Sequence, residues 1–380
     1  MSNEQAIDFA DIITQMINRG ASDLHITAGA PPTIREKGTL RPLAGYNPLT
    51  PNQTRAIIYG ILSNDQRQRL EENLQLDFAY SVPRMARFRI NCYYQRNALS
   101  AAFRLIPSEI KTIEDLGLPP VLHEFADKPR GLVLVTGPTG SGKSTSLAAV
   151  INEINEARHD HILTIEDPIE FLHRHKNCIV NQREIGTDAE SFALGLKAAL
   201  RQDPDVILVG EMRDLETIST ALTAAETGHL VFGTLHTQDT ASTIDRIIDV
   251  FPPEQQEQVR VQLSMALQGV VTQQLLARAD GSGRVCVCEI LIPTPAIRNL
   301  IREGKTHQVY SVLQTGGQHG MQTMDSALAE LVRGGAITKT LAESRSSAPS
   351  ELRRLLDGGG VATSNGNAGS SGNGAMQVAS

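Results

Sequence analysis

The chain opens with apolar residues at helical spacing, Ile7, Ile12, Ile13, Met16 and Ile17, which predicts an amphipathic helix. Short strands are expected at 24–27 and 33–43, followed by two helical stretches within 51–73. Over residues 85–95 Phe88, Ile90, Cys92 and Tyr94 alternate with Arg87, Arg89, Asn91 and Tyr93, the period of two that a half-buried strand requires. The next strand repeats it, with Leu99, Ala101, Phe103 and Leu105 on one face and Arg104 on the other. Residues 1–106 therefore read as an α+β domain.

A proline-bounded, charged stretch, PSEIKTIEDLGLPP at 107–120, predicts an interdomain linker. Beyond it the pattern changes. Apolar strands (GLVLVT, HILTI, DVILVG, HLVFGTLH) alternate with helices expected at 143–157, 188–202 and 214–227, the mark of a mostly parallel α/β sheet. After about residue 253 the pattern reads as helical, apart from a strand at 285–292. Residues 121–356 are thus expected to form the second domain. The Gly/Ser/Asn-rich stretch 357–380 buries too little apolar area to offset its ordering entropy and is expected to be a disordered tail.

Composition narrows the function classes. A net charge of −7, 4% aromatics, no Trp and no run of Lys or Arg argue against a nucleic-acid translocase or recombinase, which would need a basic, aromatic-lined track. Cys92, Cys178, Cys286 and Cys288 form no C-x-x-C pair, so neither a zinc site nor a disulfide framework is expected. The first twenty residues lack a basic and then apolar leader, and no apolar run approaches the roughly 20 residues of a membrane span. Any membrane association is expected to go through partners, from a cytoplasmic location.

The chemistry begins at Gly137-Pro138-Thr139-Gly140-Ser141-Gly142-Lys143-Ser144-Thr145, which fills G-x-x-x-x-G-K-[ST] between a strand and a helix. Glycines let backbone amides turn onto phosphate oxygens, Lys143 reaches the β and γ phosphates, and Ser144 can ligate Mg²⁺. HILTI runs into Glu166-Asp167-Pro168-Ile169-Glu170, and DVILVG into Glu211, with Arg213 and Asp214 behind. Strand ends of a parallel sheet share the edge that carries the phosphate loop, so these acids are expected to converge on it. Gly210 stands where a Walker B motif usually has Asp. That leaves Glu211 to hold Mg²⁺ through water or to orient the nucleophile, while Asp167 and Asp214 can equally cap helices. His229 and His236 bracket HLVFGTLH, and His236, at the carboxyl end, is placed to sense the γ-phosphate.

These motifs resemble the secretion-superfamily ATPases, and within them the type IV pilus retraction ATPases, over roughly residues 4–335. The carrying residues are SDLHIT, PPTIREKGTL, RFRINCYYQR, GLVLVTGPTGSGKST, TIEDPIEF, DVILVGEMRD, GHLVFGTLHT, TIDRIIDVFP and AIRNLIRE. The resemblance implies a PAS-like N-terminal domain joined to a RecA-like P-loop ATPase domain, with ATP and Mg²⁺ between domains of a homo-hexamer. It makes Glu170 and Glu211, with Glu166, the candidates for activating water, and the two histidines a His box. It brings phosphate-facing arginines from among Arg89, Arg96 and Arg104, with Arg246 and Arg284 from the ATPase domain. Implied partners are an inner-membrane pilus platform protein and paralogous pilus ATPases. Extension and type II secretion ATPases usually add a four-cysteine zinc module and an extra N-terminal domain, patterns not seen here, which favours the retraction reading over those alternatives. In AIRNLIRE, Ile297, Leu300 and Ile301 are expected to pack inward, leaving Arg298, Arg302 and Glu303 to face a neighbour.

Overall fold

The computed structural model describes residues 7–82, 85–107 and 109–357. Its first part comprises α1 (Phe9–Asn18), β1 (Asp23–Ile26), β2 (Thr33–Glu36), β3 (Thr39–Pro42), α2 (Pro51–Ile61), α3 (Asn64–Asn73), β4 (Gln75–Val82), β5 (Ala86–Gln95) and β6 (Ala98–Ile106). The strands form one antiparallel sheet in the order β3-β2-β1-β6-β5-β4. Its apolar face, including Phe88, Ile90 and Phe103, is covered by Ile12, Ile13 and Met16 of α1 and Ile58 of α2. The stretch 33–43, expected as one strand, is a hairpin whose turn sits at Lys37 and Gly38, both with positive φ. Strand β4 is an addition to the expected elements. Leu76, Phe78, Tyr80 and Val82 alternate with Gln75, Asp77, Ala79 and Ser81 along it, and all four pack on the same core, a period-two signal at the sheet edge that the reading passed over.

The second part comprises α4 (Val121–Ala126), β7 (Gly131–Thr136), α5 (Lys143–Ala157), β8 (His161–Glu166), β9 (Ile179–Glu184), α6 (Phe192–Ala199), β10 (Val206–Val209), α7 (Leu215–Glu226), β11 (Leu230–Leu235), α8 (Thr240–Asp249), α9 (Pro253–Ala266), β12 (Leu267–Ala277), β13 (Arg284–Leu291), α10 (Pro295–Arg302), α11 (Val309–Thr315), α12 (Met324–Arg333), α13 (Lys339–Arg345) and α14 (Pro349–Asp357). Seven strands run in the order β13-β12-β7-β11-β10-β8-β9, parallel except for β13. Helices on both faces bury two apolar layers, one around Leu134, Ile207 and Val231, the other around Val133, Val150 and Phe232. A smaller core joins α12, α13 and α14 to β12 and β13 through Leu276, Val287 and Leu328.

Two expectations fail here for physical reasons. Residues 267–277 are a strand, not helix: α9 ends at Ala266 and the chain passes at once into β12, where Gly269, at a shift in the ladder register, and β-branched Val270-Val271 are the signals that the helical reading passed over. The helix expected over 188–202 is trimmed to Phe192–Ala199, because Ser191 accepts from the Leu194 amide at 3.2 Å and caps it. The stretch expected as a tail, beyond Asp357, lies outside the described residues.

Part of the linker packs on the second sheet. Ile113 and Leu118 are buried with Val121, Leu122 and Phe125 against α5. His123 of α4 bridges this packing, with Nδ1 2.7 Å from Glu153 and Nε2 3.1 Å from Glu114. The Glu153 hydrogen bond, with the charges of both carboxylates, raises the His123 pKa above its ordinary 6.5. Its stabilising contribution is therefore full below 6.5 and lost as pH rises through the elevated value. His123→Gln is expected to lower stability at pH 6 by under about 1 kcal/mol, since water screens the half-exposed pair. The gap between the thermal melts of the two proteins should narrow as pH rises through the elevated value.

Candidate active site

The phosphate loop leaves β7 after Thr136. Gly137 takes φ 136°, and a Cβ there would lie 2.3 Å from the Gln273 carbonyl oxygen, so only glycine fits. Gly142, at φ 91°, precedes α5, which has no side-chain cap at its N-terminus and so presents its first amides to an anion. Lys143 folds across the loop, its Nζ donating to Gly137 O at 2.8 Å and Pro138 O at 3.3 Å. Burial lowers its pKa, against the opposing charges of Glu211 and Glu170. The loop rests on β12, where the fully buried Gln273 donates from Nε2 to Ser141 O at 2.8 Å. Gln273 was missed because its stretch reads as helical; the signal available was a Thr-Gln pair following β-branched Val270-Val271.

Register brings the acids to the loop. Thr136 pairs with Leu235, Val209 with Gly233 and Ile165, and Glu166 with Glu184, so the strand ends share one edge. A cleft of about 380 Å³ has loop residues 139–140 and 142–145 on one wall and Glu166, Asp167, Glu170 and Glu211 facing them; His236 and Arg284 also line it. Glu166 accepts from Thr164 Oγ1 at 2.6 Å and Gln182 Nε2 at 3.1 Å. Burial nevertheless raises its pKa, and nearby Glu170 adds to the rise. Glu211 Oε1 is held by His236 Nε2 at 2.9 Å and by Arg213 Nε. Arg246 lines an adjoining recess with Glu211, Arg213 and His236. Asp214 caps α7, accepting from the Thr217 amide at 2.8 Å, which is the capping role left open for it.

Besides Arg246, four further predicted residues are not brought to this cleft within the chain. His229 stands at the opposite, amino end of β11, its Nδ1 3.0 Å from Ala224 O. Arg104 is paired with Asp23 at 2.9 Å and is 73% exposed. Arg96 lies in the β5–β6 turn at φ 48°. Arg89 lines a separate crevice of about 130 Å³ with Asp167 and Glu184. Conversely, Arg284 of β13 enters the cleft although it lies far along the sequence, because β13 pairs with β12 beside β7.

Arg298 also departs from expectation. It is half-buried rather than presented to a neighbour, donating to Met265 O and Leu267 O at 3.0 Å each and to Ser264 O, the carbonyls that end α9. Burial lowers its pKa, with Arg302 adding to the effect. Arg298→Ala is expected to cost about 2 to 3 kcal/mol in a denaturant melt. Exposed Arg302, which donates to Asn299 at 3.2 Å, should be replaceable by Glu at a cost near zero.

A parallel sheet with a phosphate loop, an uncapped helix start and opposed carboxylates at one strand edge defines a RecA-like P-loop nucleoside-triphosphatase fold, here with an α+β domain before it. A family model described as "Type II/IV secretion system protein" matches residues 4–343, and the chain belongs to that family. It is 53% identical over 343 residues, 90% of this chain and 99% of the relative, to "Type IV pilus retractation ATPase PilT" of Pseudomonas aeruginosa. It is 52% identical over 314 residues to "Twitching motility protein" of Neisseria gonorrhoeae, covering 83% of this chain and 84% of that one. The solved structure "Crystal Structure of the Pilus Retraction Motor PilT and Bound ADP" superposes with a TM-score of 0.86 at 53% identity, covering 92% of this chain and 99% of that chain.

Proposed function

We propose that the chain is an ATPase motor that powers type IV pilus retraction and hence twitching motility. The observation that carries this reading is the cleft in which Lys143 of the phosphate loop faces Glu170 and Glu211, in a chain alike over almost its whole length to retraction ATPases. Lys143 contacts the β and γ phosphates of ATP. Glu211, oriented by His236 and Arg213, directs the attacking water, with Glu170 beside it. The donor set also fits Mg²⁺. Ser144 and Glu211 line the same cleft, two hard oxygen donors beside the phosphate loop, which suits an ion that takes few protein ligands and completes its shell with water and phosphate. Ser144 and Glu211 would hold it, and when bound it supplies neutralisation of phosphate charge.

The working unit we infer is a homo-hexamer in which Arg89, Arg96 or Arg104 and His229 approach a neighbouring subunit's nucleotide, a placement compatible with their distance from the cleft of their own chain. Among the described residues no helix is long and apolar enough to cross a membrane. Attachment at the inner face of the cytoplasmic membrane is accordingly assigned to a platform protein, with paralogous pilus ATPases as further partners. Deletion in the host distinguishes the reading: loss of retraction leaves more surface pili and no twitching. Loss of all pili would instead make this an extension motor.

A further inference from the structure

The acid loop is held from behind by a residue of the other domain. Strand β9 ends at Glu184, which pairs in register with Glu166, and the Ile185 amide donates to Glu166 O at 2.9 Å. Glu184 is 5% exposed. Its Oε2 accepts from the Ile169 amide at 3.2 Å and from Arg87 Nη2 at 3.3 Å. Ile169 immediately precedes Glu170, while Arg87 belongs to β5 of the N-terminal sheet. Arg87 is itself largely covered, and its Nε is buried without a partner. Two residues along the same strand, Arg89 borders the crevice behind Asp167.

We propose that the Arg87–Glu184 pair is a latch through which docking of the N-terminal domain sets the position of the Ile169–Glu170 segment, making both positioning residues for ATP hydrolysis; this rests on the ATPase reading above. A buried carboxylate that loses its cation is left uncompensated, and the arrangement around it must change. If the N-terminal sheet swings away and takes Arg87 with it, Glu184 turns towards water. The Ile169 amide then loses its acceptor and Glu170 its fixed place in the cleft. By linkage, a ligand that holds Glu170 in place favours the docked arrangement of the two domains. The single Arg87–Glu184 contact thus ties chemistry at one strand edge to rigid-body domain motion.

The test uses the full chain in four variants: Arg87→Gln, Arg87→Lys, Glu184→Gln and the double Gln variant. Turnover and affinity for a non-hydrolysable ATP analogue are measured together with amide hydrogen exchange over residues 166–172. Each single Gln variant is expected to lower kcat about tenfold with analogue affinity within about twofold, and to speed exchange at Ile169 about tenfold. The double variant should be no worse than the poorer single one, because the pair acts as a unit, and Arg87→Lys should recover most of the loss. Parental kcat in Arg87→Gln, multiplying losses in the double variant, or exchange raised equally across the whole domain would overturn the latch. Exchange is read without turnover, so a parent protein that failed to hydrolyse ATP would sink the ATPase reading while the latch was still decided.

Discussion

Glu211→Gln is expected to bind ATP within a few-fold of the parent and to turn it over about 10² to 10³ times more slowly. The amide keeps the shape of the carboxylate and can still accept from His236 Nε2, which lies 2.9 Å from Oε1 in the parent. On the proposed role, it loses the negative charge that would hold water for attack and complement the metal. Arg213 loses its ionic partner too, but that side chain is 75% exposed and water replaces the contact. Lys143→Ala should differ in kind, removing a cation that meets the phosphates already in the ground state, so affinity and turnover fall together. Isothermal titration with a slowly hydrolysed analogue, paired with phosphate-release kinetics, separates the two patterns. Full turnover by Glu211→Gln would remove its assigned role.

Gly137→Ala is expected to be nearly as damaging without touching a charged group. The new Cβ would sit 2.3 Å from Gln273 O and 2.8 Å from Ser141 Oγ, and the φ of 136° is itself strained for any side chain. Gln273 lies on β12 between β7 and β13 and cannot retreat without breaking the ladder, so the phosphate loop must move. A loss of about 3 kcal/mol or more of stability and about 100-fold or more of nucleotide affinity should follow. Gly140→Ala is the control. A Cβ there meets nothing within 4 Å, leaving only the backbone cost of φ 79°. Denaturant melts and analogue binding of the two variants check the contrast; equal behaviour would show that the contact with β12 does not constrain the loop.

Much of this site was legible because its chemistry is local in sequence. The phosphate loop needs glycines at fixed offsets, and the acids follow apolar strands whose carboxyl ends must share an edge, so residues 137–145, Glu166, Glu170 and Glu211 could be assigned to one place from spacing alone. What escaped was set by register between distant segments. Gln273 reaches the loop only because β12 extends the sheet beyond β7, whereas Arg284, expected at the site from the resemblance alone, lines the cleft because β13 pairs with β12. Glu184 and Arg87 are 97 residues apart, and nothing in either stretch announces the other. Arg298 shows the complementary error: a helical stripe correctly placed Ile297 and Ile301 inside, yet a long guanidinium can reach over the edge of its own helix to cap another.

The most direct measurement follows fluorescently labelled pili by time-lapse in host cells whose only copy of this gene carries Glu211→Gln, beside cells carrying the parent. If hydrolysis at this cleft powers retraction, the variant cells extend pili at parental frequency, fail to withdraw them and accumulate them on the surface, with protein levels unchanged. Retraction at parental frequency and speed in the variant cells would contradict the account.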